Sequence, residues 1–358
     1  MVKKMKIALF QYPEYKIPVD GYGPKQLIIE ALAKGLVKMG HDVTTFATSN
    51  SVLPGEVIGI SPKGVNEGLN DDPEIQADVD RIYRSIAIGE LIKRSGEFDL
   101  IHNHAGFTLL PIVQVLKSKV FHTLHGTYTN EHYKKIFNLY KDAGRYIPIS
   151  YAQKKVLPEL KYTDVIYHGI NIGDFDFNDK PKGDQLLFLG RLARVKGVHN
   201  AIKIAQKTGK KLIIAGPVDV ARPGGKKYFE EEIKPHIDGK IIKYIGPVDN
   251  KEKVKLLGES AALIFAVEWV EAFGLVAIEA MACGTPVITN DLGAPGETVV
   301  DGKTGFVCKT GDIEAMVEAV NKLDQINRTD CRKLVEQKFT NEIMVKNYID
   351  LFEKELKK

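Results

Sequence analysis

The chain has 358 residues, of which 44% are hydrophobic and 27% charged, and its 50 basic and 46 acidic side chains leave a net charge of +4. That length exceeds one ordinary core and suffices for two, so two domains with a cleft between them are expected, and the composition is that of a globular chain, not a disordered or membrane-embedded one. The near balance of charge, without a long single-sign block, argues against nucleic acid as a partner and suits small anionic substrates or peripheral contact with an acidic membrane surface.

The opening MVKKMKIALFQYPEYK has a basic start, but its apolar run covers only Ile7 to Phe10 before Gln11 and Pro13 interrupt it, which predicts a first strand and not a signal peptide. A helix through IIEALAKGLVKMG and the strand DVTTFAT follow, then FDLIHNH, a helix near Leu109 to Leu116, VFHTLH, YIPIS and DVIYHG. Strands alternating with helices predict a parallel sheet covered on both faces. A first Rossmann-like domain is therefore expected over 1–175. From Gly173 to Asp184 the chain loses apolar periodicity and gathers Gly, Pro and charge, which predicts a linker over 176–184.

The rhythm then restarts with LLFLG, the helix KGVHNAIKIAQKTG, KLIIAG, IIKYIG, AALIFAV and TPVITN, a second α/β domain expected over 185–339. The tail 340–358 reads as a helix with Ile343, Val345, Tyr348, Leu351 and Phe352 apolar, and periodicity does not name its docking partner. No apolar run reaches the roughly 18 residues that span a bilayer. Cys283, Cys308 and Cys331 are odd in number and lack metal-ligand spacing, so a reducing cytoplasm without disulfides is expected.

Ligands of open parallel sheets bind beyond the carboxyl ends of the strands, so the residues just after each strand matter most. In EAFGLVAIEAMACGTPVITN, Glu279 lies in an apolar helix whose positions three and four away, Leu275, Val276, Ala282 and Cys283, carry no cation. Its carboxylate needs donors from elsewhere, either ribose hydroxyls or a tertiary Lys or Arg. Glu271 precedes the helix and is free to point into the cleft, while Phe273, Gly274 and Leu275 begin the helix, where unpaired N–H groups form a site for a diphosphate or sugar hydroxyls. In LLFLGRLARVKG, Arg191 and Lys196 follow a buried strand and are placed to neutralise a diphosphate; Arg194 fits a solvated loop better.

Near the amino terminus DGYGPK puts Gly21 and Gly23 where a phosphate loop would lie, without the full dinucleotide fingerprint. Four histidines, His102, His104, His122 and His125, fall in or just after strands. Alternation puts His102 and His104 on one face, but no carboxylate with ligand spacing accompanies them, so no metal is assigned. His125 is a hydrogen-bonding candidate, His104 is placed on the acceptor side, and His102 and His122 read as core histidines.

Together these segments resemble glycosyltransferase family four, the retaining enzymes of the GT-B fold, from DGYGPK through FDLIHNH, TLHGTY, IYHG, GRLARVKG and EAFGLVAIEAMACGTPV to DGKTGFV. The resemblance implies two facing Rossmann-like domains, with a nucleotide-sugar donor on the second and an acceptor, whether glycan, lipid or small molecule, on the first. By the same resemblance Arg191 and Lys196 hold the donor diphosphate, Glu279 binds ribose, Glu271 with the backbone of Phe273 to Leu275 contacts the transferred sugar, and His125 meets that sugar near the acceptor. It implies no cofactor, and it implies that the carboxy-terminal helix returns to the first domain. Pro24 stands where the family often has a second glycine, and Ala272 where it commonly has proline.

Paired carboxylates also suit a glycosidase, against which the cationic pair and the two Rossmann-like units argue. A GT-B sugar-nucleotide epimerase and a non-catalytic sugar-nucleotide-binding protein share the nucleotide site and stay open as alternatives. The most frequent donors of the family favour a UDP-sugar; no residue reads the base, the sugar, the acceptor or the oligomeric state.

Overall fold

The computed structural model describes residues 4–19, 21, 23–69, 72–220 and 222–358. They divide into two compact units. The first holds the chain up to Ile149, Lys154–Gly169 and Asn341–Lys358; the second holds Ser150–Gln153 and Ile170–Thr340.

In the first unit the strands are β1 (Lys6–Phe10), β2 (Asp42–Thr48), β3 (Glu56–Ser61), β4 (Leu100–Asn103), β5 (Lys119–Thr123) and β6 (Arg145–Ile147), and the helices are α1 (Pro24–Lys38), α2 (Pro73–Arg94), α3 (Glu131–Leu139) and the first-unit part of α4 (Tyr151–Val156). The sheet order is β3-β2-β1-β4-β5-β6, and every pair is parallel. Beyond the exposed Lys6 at its start, the central strands KIALF and LIHN are buried and apolar or neutral because helices cover both faces, as a parallel sheet requires. Ala8, Phe10 and Ile101 face the side packed by Ala87 and Leu91 of α2.

In the second unit the strands are β7 (Leu186–Leu189), β8 (Leu212–Ala215), β9 (Ile242–Gly246), β10 (Ala262–Phe265), β11 (Val287–Asn290) and β12 (Gly305–Cys308). The helices are α5 (Val198–Thr208), α6 (Gly225–Tyr228), α7 (Asn250–Glu259), α8 (Leu275–Ala282), α9 (Pro295–Thr298), α10 (Ile313–Asn321) and α11 (Arg328–Lys338), and α12 (Asn341–Leu356) follows in the first unit. The order β12-β11-β10-β7-β8-β9 is again all parallel. Counted from its own first strand, it winds as the first sheet does: third, second, first, fourth, fifth, sixth.

The tail forms α12, and packing supplies the partner that periodicity does not. Its apolar side packs on α1 and β5: the Tyr348 hydroxyl lies 2.9 Å from Thr123 Oγ1, and the Phe352 ring centroid 5.0 Å from that of Phe121. Arg145 Nε adds an ion pair to Glu355 at 3.2 Å.

Four local features differ from the sequence expectations. Segment 176–184 is tied to the second unit and does not hang between units: Asn178 donates to the Gly258 carbonyl at 3.0 Å, and Arg328 Nε donates to the Asn178 carbonyl at 2.7 Å. Gly106–Val115 is a 3-10 run, not an α-helix, with Pro111 inside it and so without one donor. Residues 164–169 make no ladder of their own. Strand β3 and the helix α2 are additional; β3 is a half-exposed edge strand broken by Gly59, so its apolar pattern is weak.

Candidate active site

In the second sheet the winding reverses between β7 and β10, so the loops leaving these neighbours diverge and open a crevice at their carboxyl ends. Residues 190–197 follow β7 and carry Arg191, Arg194 and Lys196; residues 266–274 follow β10 and carry Trp269, Glu271 and Phe273. The two loops are pinned together by backbone. Glu268 donates its N–H to the Val195 carbonyl at 2.9 Å. Gly197 has φ +73°, and a Cβ there would sit 1.8 Å from the Ala266 carbonyl oxygen, so only glycine allows this approach.

A charged side-chain bridge spans the same crevice. Lys196 Nζ pairs with Glu271 Oε2, the Trp269 indole N–H donates to that same oxygen at 3.0 Å, and the ammonium lies 4.8 Å from the Trp269 ring centroid. Lys196 and Glu271 retain only 17% and 9% of their side-chain exposure. At this depth the pair is poorly screened by solvent ions.

Beside it α8 begins at Gly274, whose φ of +81° turns the chain and whose absent Cβ would lie 2.7 Å from the Phe265 ring. No side chain caps this helix start, so the N–H groups of Leu275 and Val276 and the positive end of the helix dipole are available to an anion or hydroxyl. The ring of Phe273 is buried, 6.2 Å from that of Phe339, so ligand contact at this position would come through backbone.

Glu279 lies buried on α8, and its partner is a tertiary cation: Lys253 Nζ of α7 donates to Oε1 at 3.0 Å. Of the two readings open from the sequence, the structure supplies the ion pair. Arg191 Nη1 lies 3.4 Å from Asp219 Oδ1, while its Nε has no hydrogen-bond partner among the described residues. Arg194 points elsewhere, paired with Glu232 and 5.0 Å from the Tyr228 ring centroid.

Sequence reasoning missed Lys253, Asp219, Trp269 and a lock formed by Glu268 and His199. His199 Nε2 lies 2.9 Å from Glu268 Oε1 and Nδ1 lies 2.8 Å from the Tyr228 hydroxyl, and Asn200 donates to Glu268 at 3.0 Å. Burial lowers the His199 pKa. For Glu268 burial pulls upward, but hydrogen bonds from Asn200 and His199 outweigh it and keep the carboxyl below its ordinary value. The only local signal was position: Asp219, Glu268 and Trp269 follow the carboxyl ends of strands, His199 opens α5 after the β7 loop, and Lys253 lies on α7, which packs on α8.

In the first unit the reversal falls between β1 and β4. Gly23 caps α1 with an extended backbone, close to Val19 and the Gln26 side chain. His104 Nδ1 and His125 Nε2 are 2.8 Å apart, and the His125 ring stacks on His168 with centroids 5.1 Å apart. His102 Nε2 bonds Thr123 at 2.7 Å, and His122 is held by Asn103 at 2.9 Å and by the Ala143 carbonyl at 2.7 Å. Burial pushes His102 and His168 down to about 3 and His122 to about 4, and it takes His104 and His125 well below the ordinary value, with neighbouring imidazoles adding to the effect. All five are neutral near pH 7. Among the described residues no group of three or more His, Cys, Asp or Glu has the geometry to hold a metal.

Comparison with known proteins gives this arrangement a family. Residues 27–174 match the family described as Glycosyltransferase Family 4, and residues 173–338 match Glycosyl transferases group 1. The glycogen synthase of Mycobacterium tuberculosis is 24% identical over 89% of this chain and 86% of its own. Among solved structures, sucrose-phosphate synthase from Thermosynechococcus elongatus superposes with a TM-score of 0.80 at 20% identity, covering 98% of this chain and 99% of its own. Anabaena HepE in complex with UDP-glucose gives 0.74 at 17% identity, covering 98% and 100%. The two family matches adjoin and together take in every strand after β1 and the Lys196–Glu271 bridge, and on that ground the chain belongs to the family-four glycosyltransferases of the GT-B fold.

Proposed function

We propose that the chain transfers a hexose from a nucleotide-sugar donor, a UDP-sugar by preference, to an acceptor hydroxyl, with retention of configuration and without a divalent metal. The observation that carries this reading is the Lys196–Glu271 bridge across the reversal of the second sheet, beside the uncapped start of α8. A lysine held against a carboxylate at that point is a cation ready for exchange onto phosphate, and helix N–H groups supply the remaining donors. Lys196 and Arg191 then take the place that a metal ion fills elsewhere at a departing diphosphate.

In this mechanism Lys196 turns from Glu271 to the diphosphate as the donor enters, and Arg191 offers its unpartnered Nε to the same group. Glu271, released from the lysine, accepts hydrogen bonds from the hydroxyls of the sugar, and the backbone N–H groups at Phe273 to Leu275 donate to the sugar's oxygens. Glu279, fixed by Lys253, receives the ribose hydroxyls on its remaining lone pairs. The bond from the anomeric carbon to the diphosphate breaks as the sugar develops oxocarbenium character. The acceptor hydroxyl attacks from the same face and passes its proton to the departing phosphate. His125, neutral, offers a hydrogen bond to the sugar without placing a second cation beside the developing charge. The UDP preference draws support from the UDP-glucose complex of the Anabaena neighbour.

Three free cysteines, whose thiols burial pushes up to between about 11 and about 12, suit a reducing cytoplasm. No described helix is long and apolar enough to cross a membrane.

The test is a panel of UDP-, GDP- and ADP-sugars in chelator, read by thermal shift and then by product analysis with donor alone and with acceptors. A ligand at about 100 times its dissociation constant adds roughly 2.7 kcal/mol to stability. Activity abolished by chelator and restored by magnesium or manganese contradicts the metal-free mechanism, and isomerised donor without transfer favours an epimerase.

A further inference from the structure

Four buried side chains of the first unit carry polar atoms that make no hydrogen bond with any described residue: both amide atoms of Gln11, and one nitrogen each of Gln26, His102 and His104. None of the four exposes more than 2% of its surface. They are not scattered. Strands β1 and β4 pair with Leu9 opposite His102 and Phe10 opposite Asn103, and the His104 N–H continues the ladder onto the Phe10 carbonyl at 2.8 Å. One further step sets Gln11 beside His104, on the face opposite the α2 core, where His102 lies 4.8 Å from the Tyr348 ring of α12 and Gln26 belongs to the first turn of α1.

This is the reversal point of the first sheet, where an open parallel sheet receives ligands. A buried amide with neither donor nor acceptor used costs folding free energy, so its retention there calls for a partner that comes and goes. We propose that the Gln11 carboxamide and His104 Nε2 form a hydroxyl-binding subsite for an uncharged polyol, the sugar or cyclitol part of the acceptor, a proposal that rests on the transfer reading above.

The chemistry of the set selects that class. An amide both donates and accepts, as a hydroxyl does, and His104, with Nδ1 engaged by His125, has Nε2 left for a second hydroxyl. A phosphate or carboxylate would require a cation. None of the four unpartnered side chains is a cation; the nearby Lys25 pairs with Glu14 at 2.5 Å, and Glu14 also meets Arg84 at 3.4 Å. The imidazoles stay neutral because burial opposes their charging.

Two measurements on the full chain decide it. The first is thermal unfolding without ligand: Gln11→Leu removes two unpartnered polar atoms at similar volume and is expected to raise the melting temperature. A lowered melting temperature, or failure to fold, marks a structural amide and overturns the proposal. The second is ligand-observed NMR, in the presence of UDP, with methyl α-glucoside and myo-inositol set against their phosphorylated counterparts. At least one neutral polyol is expected to bind, and Gln11→Leu and His104→Phe are each expected to weaken it at least tenfold while UDP affinity stays unchanged. Binding by phosphorylated compounds alone, binding by none, or polyol binding that survives both substitutions overturns the subsite. Absence of UDP binding to the wild-type chain fails the transfer reading separately.

Discussion

The two sheets wind in the same strand order, yet their ligand edges differ in kind. At the reversal of the second sheet the side chains are charged and paired, Lys196 with Glu271, and the nearby Arg191 with Asp219 and Lys253 with Glu279 follow the same pattern. At the reversal of the first they are neutral: Gln11, His104 and His125 offer amide and imidazole atoms and no net charge. On the proposed reading one backbone frame supports two chemistries, exchangeable ions for a phosphate and uncharged donors and acceptors for hydroxyls. The strand order says where a ligand sits, and the residues after each strand say what kind it is.

The contrast should be broadest in acid. A histidine neutral when folded but ionisable when unfolded lets the unfolded chain bind more protons below its ordinary pKa of 6.5, so stability falls as pH drops from about 6.5 toward the folded values of about 4 for His122 and about 3 for His102 and His168. Each such group contributes a loss on the order of 1 kcal/mol per pH unit. With five of them in the first unit, we expect it to unfold before the second as pH is lowered, a difference that hydrogen exchange at pH 5 against pH 7 resolves by segment. Earlier exchange in β7, β8 and β10 would break the comparison.

Next in size is the loss of the bridging cation. Lys196→Ala should cost about 3 kcal/mol of transition-state stabilisation, on the order of a hundredfold in turnover, since it removes a preorganised charge at the leaving group. Steady-state transfer kinetics measure it, and wild-type turnover would remove Lys196 from the mechanism.

The two carboxylates sharpen the account within the second unit. Glu279→Gln should weaken a nucleoside diphosphate that carries no sugar, whereas Glu271→Gln should leave that affinity nearly intact and depress turnover of the intact donor. Each charged hydrogen bond lost costs about 1.5 to 3 kcal/mol, enough to exceed tenfold. Lys253→Met should follow Glu279→Gln, because it strips the carboxylate of the cation that holds it. Calorimetry with free diphosphate beside transfer kinetics separates the pair, and equal loss of diphosphate affinity in folded Glu271→Gln and Glu279→Gln would defeat the assignment.

The smallest expected effect is a control. Arg194→Ala should change donor affinity and turnover by less than about twofold, since its guanidinium is committed to Glu232 and the Tyr228 ring on an exposed surface, where such pairs contribute about 0 to 1 kcal/mol. A tenfold fall in transfer rate would show that the whole loop after β7, and not two of its cations, handles the donor.

Much of this frame was legible in the sequence because strands buried on both faces write themselves as short apolar runs: KIALF, LLFLG and AALIFAV each became a central strand. Edge elements carry less of that signal, which is why β3, half exposed and interrupted by Gly59, went unread. In the site, Lys196, Glu271 and Glu279 stood out as charges beside or within apolar runs. Their partners did not. Lys253 lies on the polar sequence NKEKVKLLGE, where one lysine looks like the next, and Asp219 follows β8 in an ordinary loop; only the fold brings either to its ion pair. Gln11 read as a strand terminator, because a single sequence does not reveal that an amide is buried without a partner among the described residues.

The division of chemistry between the two edges is tested most directly by calorimetric titration of UDP, in chelator, into the wild-type chain, Lys196→Ala and Gln11→Leu. The account predicts binding to the wild type and to Gln11→Leu with equal affinity, and at least tenfold weaker binding to Lys196→Ala. UDP affinity that survives Lys196→Ala, or that is lost in Gln11→Leu, would contradict it.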